Sequence, residues 1–330
     1  MRYIVDISPE MVDVILKEIE KGEYRSVQEF IVNAVQNQIY LIDQPLIVSY
    51  PAQHTKKEIN EKNDSINYLV LEKTDIGTIN PESALRRSTL SGFWNKFLPT
   101  KITVRTLYNL IQQNNGTVLL ALLQEQASLE ARTIGKILEK TEKKSGRKRG
   151  DRLFTGLPVK RNSEKSRARF KSHFVGSLTS SGIDGMSGTL RLLEIFTDND
   201  GQDYVQLTNY GKEFSELENP ILDKKEYNET LSEKEREYLI QLIRTQLPEE
   251  YESMIFILNS IAQGNTDTSY LSREMTQNYP NLSENQISLS LSGALNRLVD
   301  LNLVKRRYDS LSFIYQVTEK TNKLMEELEK

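Results

Sequence analysis

The chain has 330 residues, 43 of them Lys or Arg and 46 Asp or Glu, with a net charge of −3, and this length allows two or three domains of ordinary size. The absence of cysteine excludes disulfides, zinc fingers and thiol catalysis, and two histidines, His54 and His173, are too few for a histidine-rich metal site. No apolar run is long enough to span a membrane, so we expect a soluble cytoplasmic protein that binds no membrane, metal or cofactor.

The first predicted element is a short strand. Side chains alternate with a period of two from Arg2 to Ser8, and the pair Ser8-Pro9 has the residue types favoured at the start of a helix. Gly22 should end that helix, and Ser26 begins the capping-box pattern of a second one. A lone strand of this length is not stable by itself, so the pattern predicts pairing with the same strand of a second copy.

This segment resembles a ribbon-helix-helix domain of the Arc, MetJ and CopG type over residues 2–42. The resemblance implies a homodimer whose two ribbons pair antiparallel and enter the major groove of double-stranded DNA. It also implies that backbone N–H groups at the start of the second helix, near Ser26, hold a phosphate. Alternate ribbon side chains would then face the bases: Arg2, Ile4 and Asp6.

The charge of this segment leaves a second interpretation open. Residues 1–45 contain four cations and eight anions. Phosphate contacts dominate affinity for DNA, so an acidic footprint weakens binding. The segment can therefore act as a dimerisation clasp that does not touch DNA.

The middle of the chain begins with a polar region. Residues 44–66 show no sustained period, which predicts a linker, and residues 67–100 are mixed. Helical periodicity dominates afterwards, and its apolar faces are expected core. The aromatic cluster and the two apolar faces are Phe93, Trp94 and Phe97; Leu107, Leu110 and Ile111; and Val118 through Leu138.

The strongest charge feature is a basic stretch from Arg132 to Lys171. It contains fifteen cations and four acids, in a chain that is acidic elsewhere. Counterion release from a polyanion is the natural use of such a cluster, so we expect it to contact nucleic acid. The alternative is a solvated loop around 143–150. The candidate DNA-binding residues in this stretch are Arg147, Lys148, Arg149, Arg152, Lys160, Arg161, Arg167, Arg169 and Lys171.

A compact series of elements follows. Helices are predicted over Lys165–Leu178 and Ser187–Phe196. A turn over 197–203, a strand over Tyr204–Leu207 and a helix capped by Thr208 come next. A strand that runs directly into a Thr-capped helix resembles the exit from the wing of a winged-helix protein.

The same order recurs at the C-terminus, where it resembles a complete winged helix. Three helices are predicted over Tyr251–Ala262, Ser269–Tyr279 and Glu284–Leu301, then a hairpin over 302–317 and a helix capped by Thr318. In that family the third helix enters the major groove and the hairpin flanks it. The resemblance implies groove-facing and phosphate-binding residues: Asn285, Gln286, Ser288, Ser292, Asn296 and Arg297 on the helix, and Lys305, Arg306 and Arg307 on the hairpin.

No motif for enzyme chemistry is present. The sequence has no phosphate-binding glycine loop, nucleophile elbow or histidine-metal motif. Acidic pairs such as Asp198 with Asp200 fit a solvated turn. We therefore do not expect an enzyme.

These patterns predict a mainly α protein with short β elements, an N-terminal ribbon-helix-helix and one or two winged helices. The predicted domains are a ribbon-helix-helix over 1–43, a linker and mixed segment over 44–100, a helical, basic, winged-helix-like domain over 101–222 and a C-terminal winged helix over 223–330. The expected function is a dimeric, sequence-specific DNA-binding protein, a transcriptional regulator on a pseudo-palindromic site. Two alternatives stay open: a replication or partition protein of a plasmid or virus, and a protein-interaction adaptor whose ribbon only dimerises.

Overall fold

The chain divides into two compact units, residues 1–63 and 64–330. The computed structural model describes residues 12, 13, 16, 69, 71–81, 89–114, 116–142, 145, 147, 151–159, 163–179, 182–280, 282–309 and 312–328. In the first unit these are Val12, Asp13 and Leu16, which are helical as predicted for that segment. The predicted ribbon and the start of the second helix lie outside the described residues, and with them Arg2, Ile4, Asp6 and Ser26.

The second unit is mainly helical with short antiparallel sheets, as predicted. Its α-helices are α1 (Leu98–Asn114), α2 (Leu120–Glu142), α3 (Ser163–Phe170), α4 (Met186–Thr189), α5 (Asn209–Glu216), α6 (Glu233–Gln246), α7 (Pro248–Ala262), α8 (Thr268–Asn278), α9 (Glu284–Asp300) and α10 (Glu319–Leu328). A π-helical segment, Lys171–Val175, continues α3. The strands are β1 (Val118–Leu119), β2 (Ser177–Thr179), β3 (Gly182–Asp184), β4 (Leu193–Thr197), β5 (Asp203–Leu207), β6 (Val304–Asp309) and β7 (Ser312–Val317). None of the helices described here is long and apolar enough to cross a membrane.

Helix α1 lies at the centre of the second unit. Every residue from Leu98 to Tyr108 is buried, and the predicted apolar face of this helix is part of the core. Two of its cations are buried as ion pairs: Lys101 with Glu235 (2.9 Å) and Arg105 with Asp223 (2.6 Å). Burial lowers the pKa of Lys101 to about 8, against the opposing charge of Glu235. Because losing one partner would strand a buried charge, these pairs hold α1 firmly against α6 and the loop after α5.

Three small antiparallel sheets accompany the helices. Strands β1, β5 and β4 form one sheet in that order, and β2–β3 and β6–β7 form hairpins. In the three-stranded sheet Val118 pairs with Val205, and both side chains face the core. The predicted turn over 197–203 is present, and the N–H of Asp198 donates to the carbonyl of Gln202 (2.9 Å).

Two predicted helices before this sheet differ from the structure. The helix predicted over Lys165–Leu178 ends at Val175, and Leu178 lies in β2. The prediction of a helix over Ser187–Phe196 is wrong beyond Thr189, because Leu193–Thr197 forms β4. The apolar run has no clear period, and pairing with β5 buries Ile195 at the centre of the sheet.

The secondary structure predicted for the C-terminal region is confirmed. Helices α7, α8 and α9 begin and end within three residues of their predicted bounds, and β6 and β7 form the predicted hairpin. The Ser283 hydroxyl caps α9 in a capping box with Gln286. The N–H of Thr321 donates to the Thr318 hydroxyl (3.4 Å), which is the predicted cap of α10.

The β4–β5 hairpin is closed at its base by Thr208. The N–H of Thr208 donates to the carbonyl of Leu192 (3.2 Å), and its hydroxyl donates to the carbonyl of Arg191 (2.5 Å). The same hydroxyl accepts from the N–H of Gly211 (3.0 Å), so it also caps α5. Arg191 has a φ of 59°, an uncommon conformation for a residue other than glycine.

The β6–β7 hairpin is closed in the same way. Thr318 donates its N–H to the carbonyl of Leu303 (3.1 Å) and its hydroxyl to the carbonyl of Asn302 (2.8 Å). Asn302 has a φ of 58°, matching Arg191. Both hairpins are therefore closed by the same arrangement: the threonine after the second strand bonds to the carbonyls of the two residues before the first strand.

The likeness extends to the helices before each hairpin. Strand β1 lies between α1 and α2 and pairs with β5, the second strand of its hairpin. Asp267 lies between α7 and α8 and pairs with Ile314 in β7, again the second strand. We call residues 191–208 the first hairpin module and residues 302–318 the second hairpin module.

Candidate nucleic-acid interface

The outer side of α9 presents a polar stripe. Asn285, Ser288 and Ser292 are exposed, and their spacing of three and four residues places them on one face of the helix. Gln286 is exposed as well, but its side-chain oxygen accepts from the N–H and hydroxyl of Ser283 (2.9 and 2.8 Å). Three of the predicted groove-facing residues thus lie together on the surface, and Gln286 serves the helix cap.

The prediction that Arg297 faces the groove is wrong. Its side chain is buried and pairs with Glu250 at 2.7 Å. The remaining guanidinium N–H groups donate to backbone carbonyls, including those of Ser91 (3.0 Å) and Trp94 (2.7 Å). Arg297 lies one residue past Asn296, on the side of α9 that packs against the segment before α1. An arginine can be buried at this position because several acceptors receive hydrogen bonds from its five N–H donors.

Asn296 and Arg306 face each other between α9 and β6, and Asn296 is half-buried. Asn296 donates to the carbonyl of Ser292 (2.8 Å) and accepts from the Arg306 guanidinium. Arg306 also pairs with Asp151 (3.5 Å), and its side chain is only 5% exposed. Its Cζ atom lies 5.1 and 5.6 Å from the ring centroids of Phe313 and Tyr315. This packing contradicts the prediction of a phosphate contact at Arg306.

The strand period separates the three hairpin cations. Lys305 and Arg307 are exposed, and they point away from the face of β6 that carries Arg306. The two outward cations are therefore compatible with phosphate contacts. The sequence alone did not resolve this split, because the three residues are consecutive and the strand register was unknown.

The described part of the central basic loop is attached to the protein by Arg147. Its guanidinium pairs with Glu142 (3.1 Å) and donates to the carbonyls of Tyr227 (3.3 Å) and Asn228 (2.8 Å). Arg147 is thus an anchor, where a DNA contact was expected. Arg152 is exposed, with its Cζ atom 5.7 Å from the ring centroid of Phe154. Lys148, Arg149, Lys160 and Arg161 lie outside the described residues.

The cations of α3 and of the π-helical segment that continues it lie on two different faces. Arg167 and Lys171, both predicted DNA contacts, instead pair with Glu125 of α2. Burial alone would raise the pKa of Glu125, but the hydrogen bonds and charges of Lys171 and Arg167 hold it below its usual value. Arg169 is exposed, as is Lys165 one turn earlier.

Lys165 is exposed on the same side of the helix as Arg169, and the sequence contains a signal for this position. Phe170 and Phe174 are four residues apart and buried, and they mark the inner face of the helix. Arg167 and Lys171 each precede one of these rings by three residues, so they belong to the inner side. A helical projection around the two phenylalanines therefore separates Lys165 and Arg169 from Arg167 and Lys171, which pair with Glu125.

The described residues contain no group of three or more His, Cys, Asp or Glu that could hold a metal ion. Comparison with known proteins finds no matching family model, no matching curated protein and no matching solved structure.

Proposed function

We propose that the protein is a sequence-specific double-stranded DNA-binding protein, a transcriptional regulator that acts as a homodimer on a pseudo-palindromic site. The observation that carries the proposal is the exposed stripe of Asn285, Ser288 and Ser292 on α9, next to a hairpin that carries outward cations. Asparagine can form two hydrogen bonds to adenine, at N6 and N7 on its major-groove edge, and serine can donate to or accept from any base. A helix that offers these groups has the chemistry to read a major groove.

The order of elements supports the same proposal. In both halves of the second unit, helices precede a hairpin, and a short stretch between the first two helices pairs with the second hairpin strand. The C-terminal half has the order of a winged helix, in which a recognition helix is followed by a wing. The first half has the same beginning and end, with the β2–β3 hairpin inserted before β4. Of the two hairpins, the second one carries the outward cations that suit a polyanion.

Exposed cations would supply the affinity. Lys165 and Arg169 line the outer face of α3, and Lys305 and Arg307 line the outer face of β6. Each cation that neutralises a phosphate releases counterions, so binding should weaken steeply as salt rises. The proposed homodimer uses the N-terminal ribbon as its clasp, and a two-fold dimer favours a two-fold operator.

The test is selection of bound duplexes from a random pool by the full-length protein, followed by affinity measurements over a salt series. The proposal expects a recurrent pseudo-palindromic sequence and a linear fall of log affinity with log salt. Absence of binding, or binding with neither sequence preference nor salt dependence, would contradict it. Deletion of residues 1–45 should give a monomer that binds half-sites weakly, whereas a deletion variant that stays dimeric would remove the clasp from its assigned role.

A second candidate function is favoured by the repeated hairpin modules. A replication or partition protein of a plasmid or virus would use tandem winged helices on repeated DNA sites. The same selection experiment separates the two candidates, because direct repeats in the selected sequences would favour replication or partition and inverted repeats would favour regulation.

A further inference from the structure

The two hairpin modules can be aligned residue by residue through their shared anchors. Leu192 matches Leu303 at the entrance, and Thr208 matches Thr318 at the exit. Counting inward from both ends gives one consistent set of outward positions, and the strand registers agree with it. The matched outward residues are Glu194 and Lys305, Phe196 and Arg307, Tyr204 and Ile314, and Gln206 and Gln316.

This alignment shows an inversion of charge. The second hairpin, residues 304–317, carries three cations and one acid, whereas the first hairpin, residues 193–207, carries four acids and no cation. Phe196 occupies the position of the outward Arg307, and Glu194 that of the outward Lys305. Since DNA repels carboxylates, the two equivalent faces cannot serve the same polyanion.

The outer face of the first hairpin is also unusually apolar. Phe196 is 38% exposed, and its ring stacks on Tyr204 with 5.9 Å between centroids. Leu119 of β1 is 41% exposed and pairs directly across from Tyr204, so the three side chains form a row over three strands. Acidic side chains flank this row: Glu194 pairs with Arg191 (3.0 Å), and Asp200 is exposed at the turn.

Charge decides which occupant suits this face. Single-stranded nucleic acid would stack on aromatic rings, but it also needs cations along its backbone, and this hairpin has none. A second copy related by a two-fold axis would place the same acidic face against itself. A positively charged segment with an apolar side chain satisfies both features, because aromatic rings attract arginine and lysine and the carboxylates complement their charge.

We propose that the face formed by Leu119, Phe196 and Tyr204, flanked by the carboxylates of residues 194–203, is a docking site for a basic segment of another protein. The segment carries arginine or lysine beside an aromatic or aliphatic side chain. In this arrangement the second hairpin module serves DNA and the first recruits a protein partner. The docking site does not depend on DNA binding by the rest of the chain.

The experiment uses random 12-residue peptides displayed on phage and selected against the full-length protein. The test variant is Phe196→Ser with Asp200→Lys, and the matched control is Arg307→Ser at the equivalent position of the second hairpin. Enriched peptides should contain arginine or lysine next to an apolar residue. Synthetic copies should bind the wild type and the control equally, bind the test variant at least tenfold more weakly, and lose affinity as salt rises.

Four outcomes would overturn the proposal. Two concern the peptides: the selected peptides lack cations, or they bind the test variant as tightly as the wild type. The third is that a labelled 20-nucleotide single strand binds the wild type and not the test variant. The fourth is that the wild type self-associates and the test variant does not. Thermal melting followed by circular dichroism checks that each variant is folded. If the first variant unfolds, Tyr204→Ser, which changes the same row at a different strand, provides the same comparison.

Discussion

Arg297 and Glu250 form an ion pair of 2.7 Å whose side chains are 2% and 3% exposed. The pair joins α9 to the first turn of α7, and Glu250 also accepts from the N–H of Leu90 (2.9 Å). Arg297 donates in addition to the carbonyls of Ser91 and Trp94. One buried ion pair thus fixes the inner side of the helix whose outer side carries the polar stripe.

Replacing Arg297 by alanine should lower the free energy of unfolding by about 3–5 kcal/mol, because it leaves a buried carboxylate without its partner. Urea denaturation followed by circular dichroism measures this change. Asn285→Ala, on the exposed side of the same helix, is the control and should shift stability by less than about 0.5 kcal/mol. If Arg297→Ala were as stable as the control, the pair would not fix α9 as argued.

Substitutions of the three cations of β6 should affect different properties: those at the outward pair should weaken DNA binding, and the one at Arg306 should lower stability. Replacing both Lys305 and Arg307 by serine should weaken DNA binding uniformly across sequences and reduce the salt slope by about 2, since each contributes one phosphate contact. The melting temperature should change little. Arg306→Ala should instead destabilise the fold by roughly 1–3 kcal/mol, because it removes ring contacts and a buried donor. Equal effects of the two variants on the salt slope would contradict this division.

The cations of α3 and of the segment that continues it should also fall into a pair that affects DNA binding and a pair that affects stability. The double variant Lys165→Ser with Arg169→Ser should weaken DNA binding and reduce the salt slope by about 2. Arg167→Ser with Lys171→Ser has the same change in charge, but it removes the partners of Glu125 and should act through stability. Fluorescence anisotropy at several salt concentrations, with urea denaturation of both variants, distinguishes the two pairs. A larger loss of salt slope in the Arg167 and Lys171 variant would show that the inner pair contacts phosphate.

These residues also show how far the sequence predicts the molecule. The helices of the C-terminal region and the caps at Thr208 and Ser283 follow from local patterns, since a cap needs only a side chain and the next three residues. The sequence does not predict strand β4, because the stability of β4 comes from pairing with β5, which lies beyond the turn. Local periodicity carries no information about such a partner.

Candidate site residues were harder to predict than the elements that carry them. Arg297 and Arg306 have the residue type of a DNA contact, but each is held by acceptors from distant parts of the chain, such as Glu250 and Asp151. Whether an arginine reaches solvent depends on which acceptors the fold brings near it. Residue type and helix face therefore predict the stripe at Asn285 and Ser288. They do not predict which cations are buried in ion pairs and hydrogen bonds within the protein.

Glu130 of α2 gives the last prediction, a dependence of stability on pH. Burial raises the pKa of Glu130 from 4.5 to about 7. In the unfolded chain the carboxyl loses its proton near pH 4.5, whereas in the folded protein it keeps the proton up to about pH 7. The folded state therefore binds more protons than the unfolded state in this window, and the contribution of Glu130 to stability falls as pH rises from 4.5 to 7.

Glu130→Gln keeps the shape of the side chain and removes the ionisation, so the variant should match the wild type below pH 4.5 and exceed it above pH 7. The shift corresponds to at most about 3 kcal/mol, and partial contact with solvent reduces the expected gain to roughly 1–3 kcal/mol at pH 8. Urea denaturation of both proteins at pH 4.5, 6 and 8 measures the difference. Glu164→Gln, at the exposed start of α3, controls for the loss of one negative charge. A Glu130→Gln difference that stays constant from pH 4.5 to 8 would mean that this carboxyl ionises alike in the folded and unfolded chains, and burial would then not be the dominant influence on it.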